Sequence, residues 1–183
     1  MSKGYSVKKL TITALCIALC YALPLLFHAT GLGTAFSPMH IPVLLCGLVC
    51  GGGYGLVCGI VGPVLSSILS GMPPAVKLVH FIPELAVYGA LAGLMLKLVR
   101  TKKPILDVYA ALIVAMVAGR IVGGVAQALF YLSSGKEFTV AAIAAGYFVS
   151  TLPGIICHLI VIPILVMALL KARLIADPYA EGV

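Results

Sequence analysis

Ile105–Leu132 reads ILDVYAALIVAMVAGRIVGGVAQALFYL. A helix needs about 20 apolar residues to cross the hydrocarbon core of a bilayer, and this run exceeds that. Near its middle stands Arg120. A cation at that depth costs at least about 2.5–3.5 kcal/mol on insertion scales, so such residues face a bundle interior or a pathway. A second costly residue, Glu84, lies inside another apolar run, Leu78–Met95. One cation and one anion held at depth point to a polar site within a membrane protein.

Composition agrees. The 183-residue chain is 62% hydrophobic and only 9% charged, with a mean hydropathy of +1.20. A soluble domain is about 25% charged. The length allows roughly six spans and leaves no room for a soluble domain, so residues 1–183 form one membrane domain. Apolar runs and their breakers place the spans at Leu10–Phe27, Ile41–Gly52, Tyr54–Leu69, Leu78–Leu98, Ile105–Leu132 and Ala141–Leu170. The second and third are short, and Gly51-Gly52-Gly53 separates them. The expected fold is all-α, an integral membrane bundle of six transmembrane helices.

The net charge of +7 follows topology rather than a nucleic-acid partner. Lys3, Lys8 and Lys9 precede the first span. Lys97, Arg100, Lys102 and Lys103 separate the fourth from the fifth, and Lys171 and Arg173 follow the sixth. With six spans and a cytoplasmic N-terminus all of these are inside, and only Lys77 and Lys136 are outside. Lys/Arg bias of this kind sets orientation, so both termini are expected in the cytoplasm. The first segment lacks a clear small-residue cleavage site and reads as a span rather than a removed signal.

Cysteine adds little. Cys16, Cys20, Cys46, Cys50, Cys58 and Cys157 all fall in expected helices, where cysteine ordinarily acts as a small, soft hydrophobe. No metal and no cofactor are expected. Ala14, Ala18 and Ala22 recur at i, i+4 and i+8, one stripe of a helix. Small residues let backbones approach closely in lipid. The stripe either packs inside the bundle or docks another membrane subunit.

Polar residues form further stripes. Arg120, Gly124, Gln127 and Tyr131 share a face of the fifth span. Tyr147, Thr151, Gly154 and His158 share one of the sixth. His80 and Glu84 lie one turn apart in the fourth, and His40 begins the second at the outer surface. Most of these groups fall in the outer half of the membrane, where a site loaded from outside belongs. Arg120, Glu84, His40, His80, Gln127, Tyr131, Tyr147 and Thr151 are the candidate substrate-binding residues. Each has a plainer reading. Arg120 and Glu84 can pair only with each other, His40 and His80 can be interfacial rings, and His158 reads as a hydrogen-bonded core histidine. Pro153 and Pro163 are expected to kink the sixth span.

The sequence has no G-x-x-x-x-G-K-[ST] loop, no G-x-S-x-G elbow and no H-E-x-x-H motif. A transporter this small needs partner subunits or an oligomer.

The whole chain resembles the substrate-binding S components of energy-coupling factor (ECF) vitamin transporters. Ala14-x-x-x-Ala18 is similar to that family's docking motif for the transmembrane coupling subunit. Four further stretches support the resemblance: SPMHIPVLLCGLVCG over residues 37–51, Gly71-Met-Pro-Pro, Pro83-Glu-Leu-Ala-Val-Tyr-Gly and Ala118-Gly-Arg-Ile-Val. The resemblance implies a multi-pass protein of the prokaryotic cell membrane that is not itself an enzyme. It implies capture of a vitamin or precursor near the outer face, under a cap formed by residues 28–39. It implies as partners a transmembrane coupling subunit and two cytoplasmic ATPases, with no nucleic acid.

Arg120 suits a carboxylate, because a guanidinium bonds it bidentately. Few aromatics line the expected site, and large flat heterocycles are usually gripped by stacking. Pantothenate is therefore favoured, with a pyridoxine-like vitamin or a cobalamin precursor as the alternative. A different class also stands: a small integral-membrane enzyme or an oligomeric channel using Arg120, Glu84 and His158.

Overall fold

The computed structural model describes residues 3–29, 36–99, 101, 103–135, 139 and 151–172. Among these the chain is all-helical, with α1 Lys3–Ala29, α2 His40–Cys50, α3 Gly52–Ser70, α4 Ala75–Leu98, α5 Pro104–Ser133 and α6 Leu152–Lys171. Five of the six are long and apolar enough to cross a membrane. The exception is α2, whose 11 residues span only about 16 Å. The expected sixth span begins at residue 141, and its first part lies outside the described residues.

Glycine and proline set the ends. Gly71 takes a left-handed conformation (φ 68°) and closes α3, while Pro74 precedes α4. Ser66 and Ser67 donate their hydroxyls to the carbonyls of Met72 (2.7 Å) and Pro73 (2.8 Å), tying α3 to this turn. Pro104 opens α5. Pro153 falls in the first turn of α6 rather than its interior, where its missing N–H leaves no bond unmade. Only Pro163 of the expected pair sits inside that helix.

The centre of the bundle is a seam of backbone contacts. A Cβ added to Gly89 of α4 would collide with the carbonyl of Gly55 in α3, and one on Gly55 with the carbonyl of Gly89. Gly47 of α2 abuts the same Gly89 carbonyl, and Gly59 abuts that of Leu85. Helices in lipid gain little from hydrophobicity between them and associate by such close packing.

On the other side of α3, five buried thiols fill the space between α1, α2 and α3. Cys46 donates to the Thr13 hydroxyl (3.6 Å) and Cys50 to the Lys9 carbonyl (3.6 Å). The Lys9 contact places the start of α1 beside the α2–α3 turn. Gly93 abuts that turn as well, and Pro104 and Lys171 line one hollow. Lys9, the end of α4, the start of α5 and the end of α6 therefore share one end of the bundle.

Candidate ligand site

Three helices, α2, α4 and α5, converge on Glu84. The α5 backbone can approach because it carries Gly119 and Gly123. A Cβ on Gly119 would enter the ring of Tyr88, and one on Gly123 would lie 2.9 Å from Glu84 Oε2. Between these glycines Arg120 extends to Glu84, with Nε 3.5 Å from Oε1. Tyr88, one turn along α4, donates its hydroxyl to the same oxygen at 3.0 Å. His40 Nε2 lies 3.4 Å from it. All four side chains are buried, Arg120 at 5% exposure and Glu84 at 2%.

His40 was expected at the outer surface and instead sits in the interior. The reason is the shortness of α2: it ends at Gly51, at the lysine-bearing end, and counted back from there its 11 residues reach only about half-way through the bundle. The local backbone fixes the ring. Ser37 has a positive φ of 44°, and its carbonyl accepts from both the backbone N–H and Nδ1–H of His40, each at 3.0 Å. A carbonyl only accepts, so Nδ1 carries the proton.

His158 of α6 stacks on His40, with ring centroids 5.6 Å apart and planes 19° apart. Tyr88 packs against His40 from α4 at 5.1 Å, and Phe81 meets it edge-on at 6.0 Å. Tyr88 was not a sequence candidate, and His158 was expected as a core histidine, entering a site only in the enzyme or channel alternative. The signal for Tyr88 was its position four residues after Glu84, one helical turn.

The structure thus joins Arg120, Glu84 and His40 and spreads the other candidates. His80 is half-buried and packs edge-on against Phe81 at 5.3 Å. Gln127 donates to the Tyr131 hydroxyl at 3.0 Å, two to three turns along α5 from Arg120. Thr151 caps α6, and its carbonyl accepts from Ile155 N–H at 3.0 Å. Tyr147 lies outside the described residues. Among the described residues no three His, Cys, Asp or Glu side chains are grouped to hold a metal ion. On α1, Thr13, Cys16 and Cys20 are buried, while Ala14 and Ala18 are exposed and Ala22 is half-buried.

A family model described as "ECF transporter, substrate-specific component" matches residues 8–175. The chain belongs to this family. It is the substrate-binding subunit of a transporter, a multi-pass membrane protein and not an enzyme. Membership implies association of this S component with an ECF module of ATPases and transmembrane subunit, and a small-molecule substrate. Searches of curated proteins and of solved structures gave no match.

Proposed function

We propose that this S component captures a small acidic vitamin, pantothenate in the favoured reading, at the Arg120–Glu84–His40 cluster. The observation that carries the reading is the buried convergence of Arg120, His40 and Tyr88 on Glu84. A guanidinium bonds a carboxylate bidentately, and Arg120 suits a ligand carboxylate. Gln127, Tyr131, Thr151, Tyr147 and His80 are proposed to contact the less charged part of the ligand.

The protein is proposed to cross a prokaryotic membrane six times with both termini in the cytoplasm. The sharing of one bundle end by Lys9, Lys97, Lys103 and Lys171 supports this sidedness. Residues 28–39 are proposed to cap the site. Ala14, Ala18 and Ala22 are proposed to dock the transmembrane coupling subunit, and two ATPases to drive delivery inward. The outward exposure of Ala14 and Ala18 supports docking over internal packing.

A pyridoxine-like vitamin or a benzimidazole precursor of cobalamin is the second reading. The wall of His40, His158 and Tyr88 rings favours it, since flat heterocycles stack on such surfaces. Native mass spectrometry of protein purified from cells grown in rich medium separates the two. A co-purified mass equal to pantothenate supports the first reading, and a neutral or basic heterocycle replaces it with the second. Ion currents from the purified protein alone in planar bilayers would instead favour the channel alternative.

A further inference from the structure

His158 is fully buried, and neither of its ring nitrogens has a hydrogen-bond partner among the described residues. The carbonyls of Phe36 and Ser37 lie near the ring, and that of Ser37 already accepts twice from His40. Native proteins rarely leave such groups unsatisfied, and each specific case calls for an unseen partner. Leaving a buried donor or acceptor unpaired is costly. This one stacks on His40 and lies at the end of the segment, residues 36–39, that leads into α2.

We infer that His158 is a ligand-contacting, specificity-determining residue that hydrogen-bonds a hydroxyl or amide group of the substrate while the neighbouring Arg120 cluster holds its carboxylate. The neutral ring offers one donor and one acceptor on opposite edges. One of these nitrogens can bond an alcohol or a secondary amide of the substrate, which can donate or accept as that nitrogen requires. The substrate class is thereby narrowed to acids carrying such a group close to the carboxylate. Simple alkyl acids satisfy the cluster and leave His158 unmatched. A site built to bond a polar group rejects analogues lacking it far more strongly than an apolar pocket does. The inference rests on the acidic-vitamin reading above.

The test uses full-length protein in detergent, equilibrium binding of radiolabelled pantothenate, and thermal melting. His158→Phe keeps an aromatic ring to stack on His40 and removes both nitrogens. Affinity is expected to fall about 10- to 100-fold, with the melting temperature of the ligand-free protein unchanged or raised. His158→Gln restores a donor and an acceptor and is expected to recover at least part of the loss. Wild-type affinity in His158→Phe overturns the inference and leaves the vitamin reading standing. A lowered melting temperature in ligand-free His158→Phe also overturns it, because the nitrogens then hold the fold. Absence of pantothenate binding by the wild type removes the pantothenate reading, and the inference falls with it.

Discussion

Arg120 and Glu84 invite a double-mutant cycle with Arg120→Ala and Glu84→Gln. Nε and Oε1 stand 3.5 Å apart between side chains at most 6% exposed. At an effective dielectric of about 20 their attraction is about 5 kcal/mol, and desolvation of the two charges offsets much of it. The pair therefore adds little net stability, yet breaking it from one side is expensive. Arg120→Ala leaves Glu84 with the Tyr88 hydroxyl and His40, so the loss belongs near the lower end of the usual range, about 3 kcal/mol. Glu84→Gln removes the carboxylate that faces Arg120, Tyr88 and His40 and is expected to cost at least as much. The double variant removes both charges and is expected to lose only about 2–4 kcal/mol, mainly from the vacated volume. The coupling is then about 2 kcal/mol or more. Reversible unfolding in mixed detergent micelles, followed by circular dichroism, reads all four corners of the cycle. Losses that add to within about 0.5 kcal/mol would refute the reasoning, because that is the behaviour of independent sites. The same proteins test ligand binding. Arg120→Lys keeps the charge without the planar fork and is expected to weaken pantothenate binding about 5- to 150-fold at nearly unchanged stability. Full affinity in a well-folded Arg120→Ala protein removes this residue from the site.

Gly89→Ala places a methyl group against the Gly55 carbonyl, which cannot rotate away. A loss of about 1–3 kcal/mol is expected in the same unfolding assay, and wild-type stability would contradict the seam. Ala18→Trp is expected to abolish uptake in cells while the isolated protein keeps its ligand affinity. Loss of binding as well would return the stripe to internal packing. In a protein freed of its native cysteines, single cysteines at positions 33, 75 and 136 are expected to react with an impermeant reagent added outside. One at position 101 is expected to stay unlabelled, and its labelling would overturn the proposed sidedness.

Helix positions were legible because lipid imposes length and composition at once. The expected Tyr54–Leu69 and Ile105–Leu132 lie one or two residues inside the observed Gly52–Ser70 and Pro104–Ser133. Gly51, Gly71 and Pro74 marked the breaks. The pairing of Arg120 with Glu84 was legible for an energetic reason, since a lone charge at depth needs a partner. The depth of His40 was not. Hydropathy locates an apolar run without saying where a chain reversal falls relative to the membrane, and Gly51 reverses the chain after only 11 helical residues. Tyr88 stands near the middle of its helix, and its place in the cluster emerges only when α2, α4 and α5 pack together. The neighbourhood of His158 depends on how α6 meets α2, a tertiary fact with no local periodic signal. Sequence spacing left the Ala14–Ala18 stripe open between two roles, and only the burial of Cys16 and Cys20 on the opposite face shows which side of α1 turns inward.

The glycine seam bears on how this subunit can change shape. Side chains usually give packed helices a choice of rotamers, and hence alternative ways to nest. Glycine freezes no side-chain torsion on association and offers none to rearrange. With carbonyl against Cα, α3 and α4 have no graded series of neighbouring arrangements. A small slide takes these carbonyls out of the glycine notches, so the next favourable fit lies at least one glycine repeat away, about 6 Å. The hairpin formed with α2 is therefore a stiff keel. Motion that admits or releases a ligand has to be taken up by the helices around it, and the keel passes a push at one end to the other as a lever does.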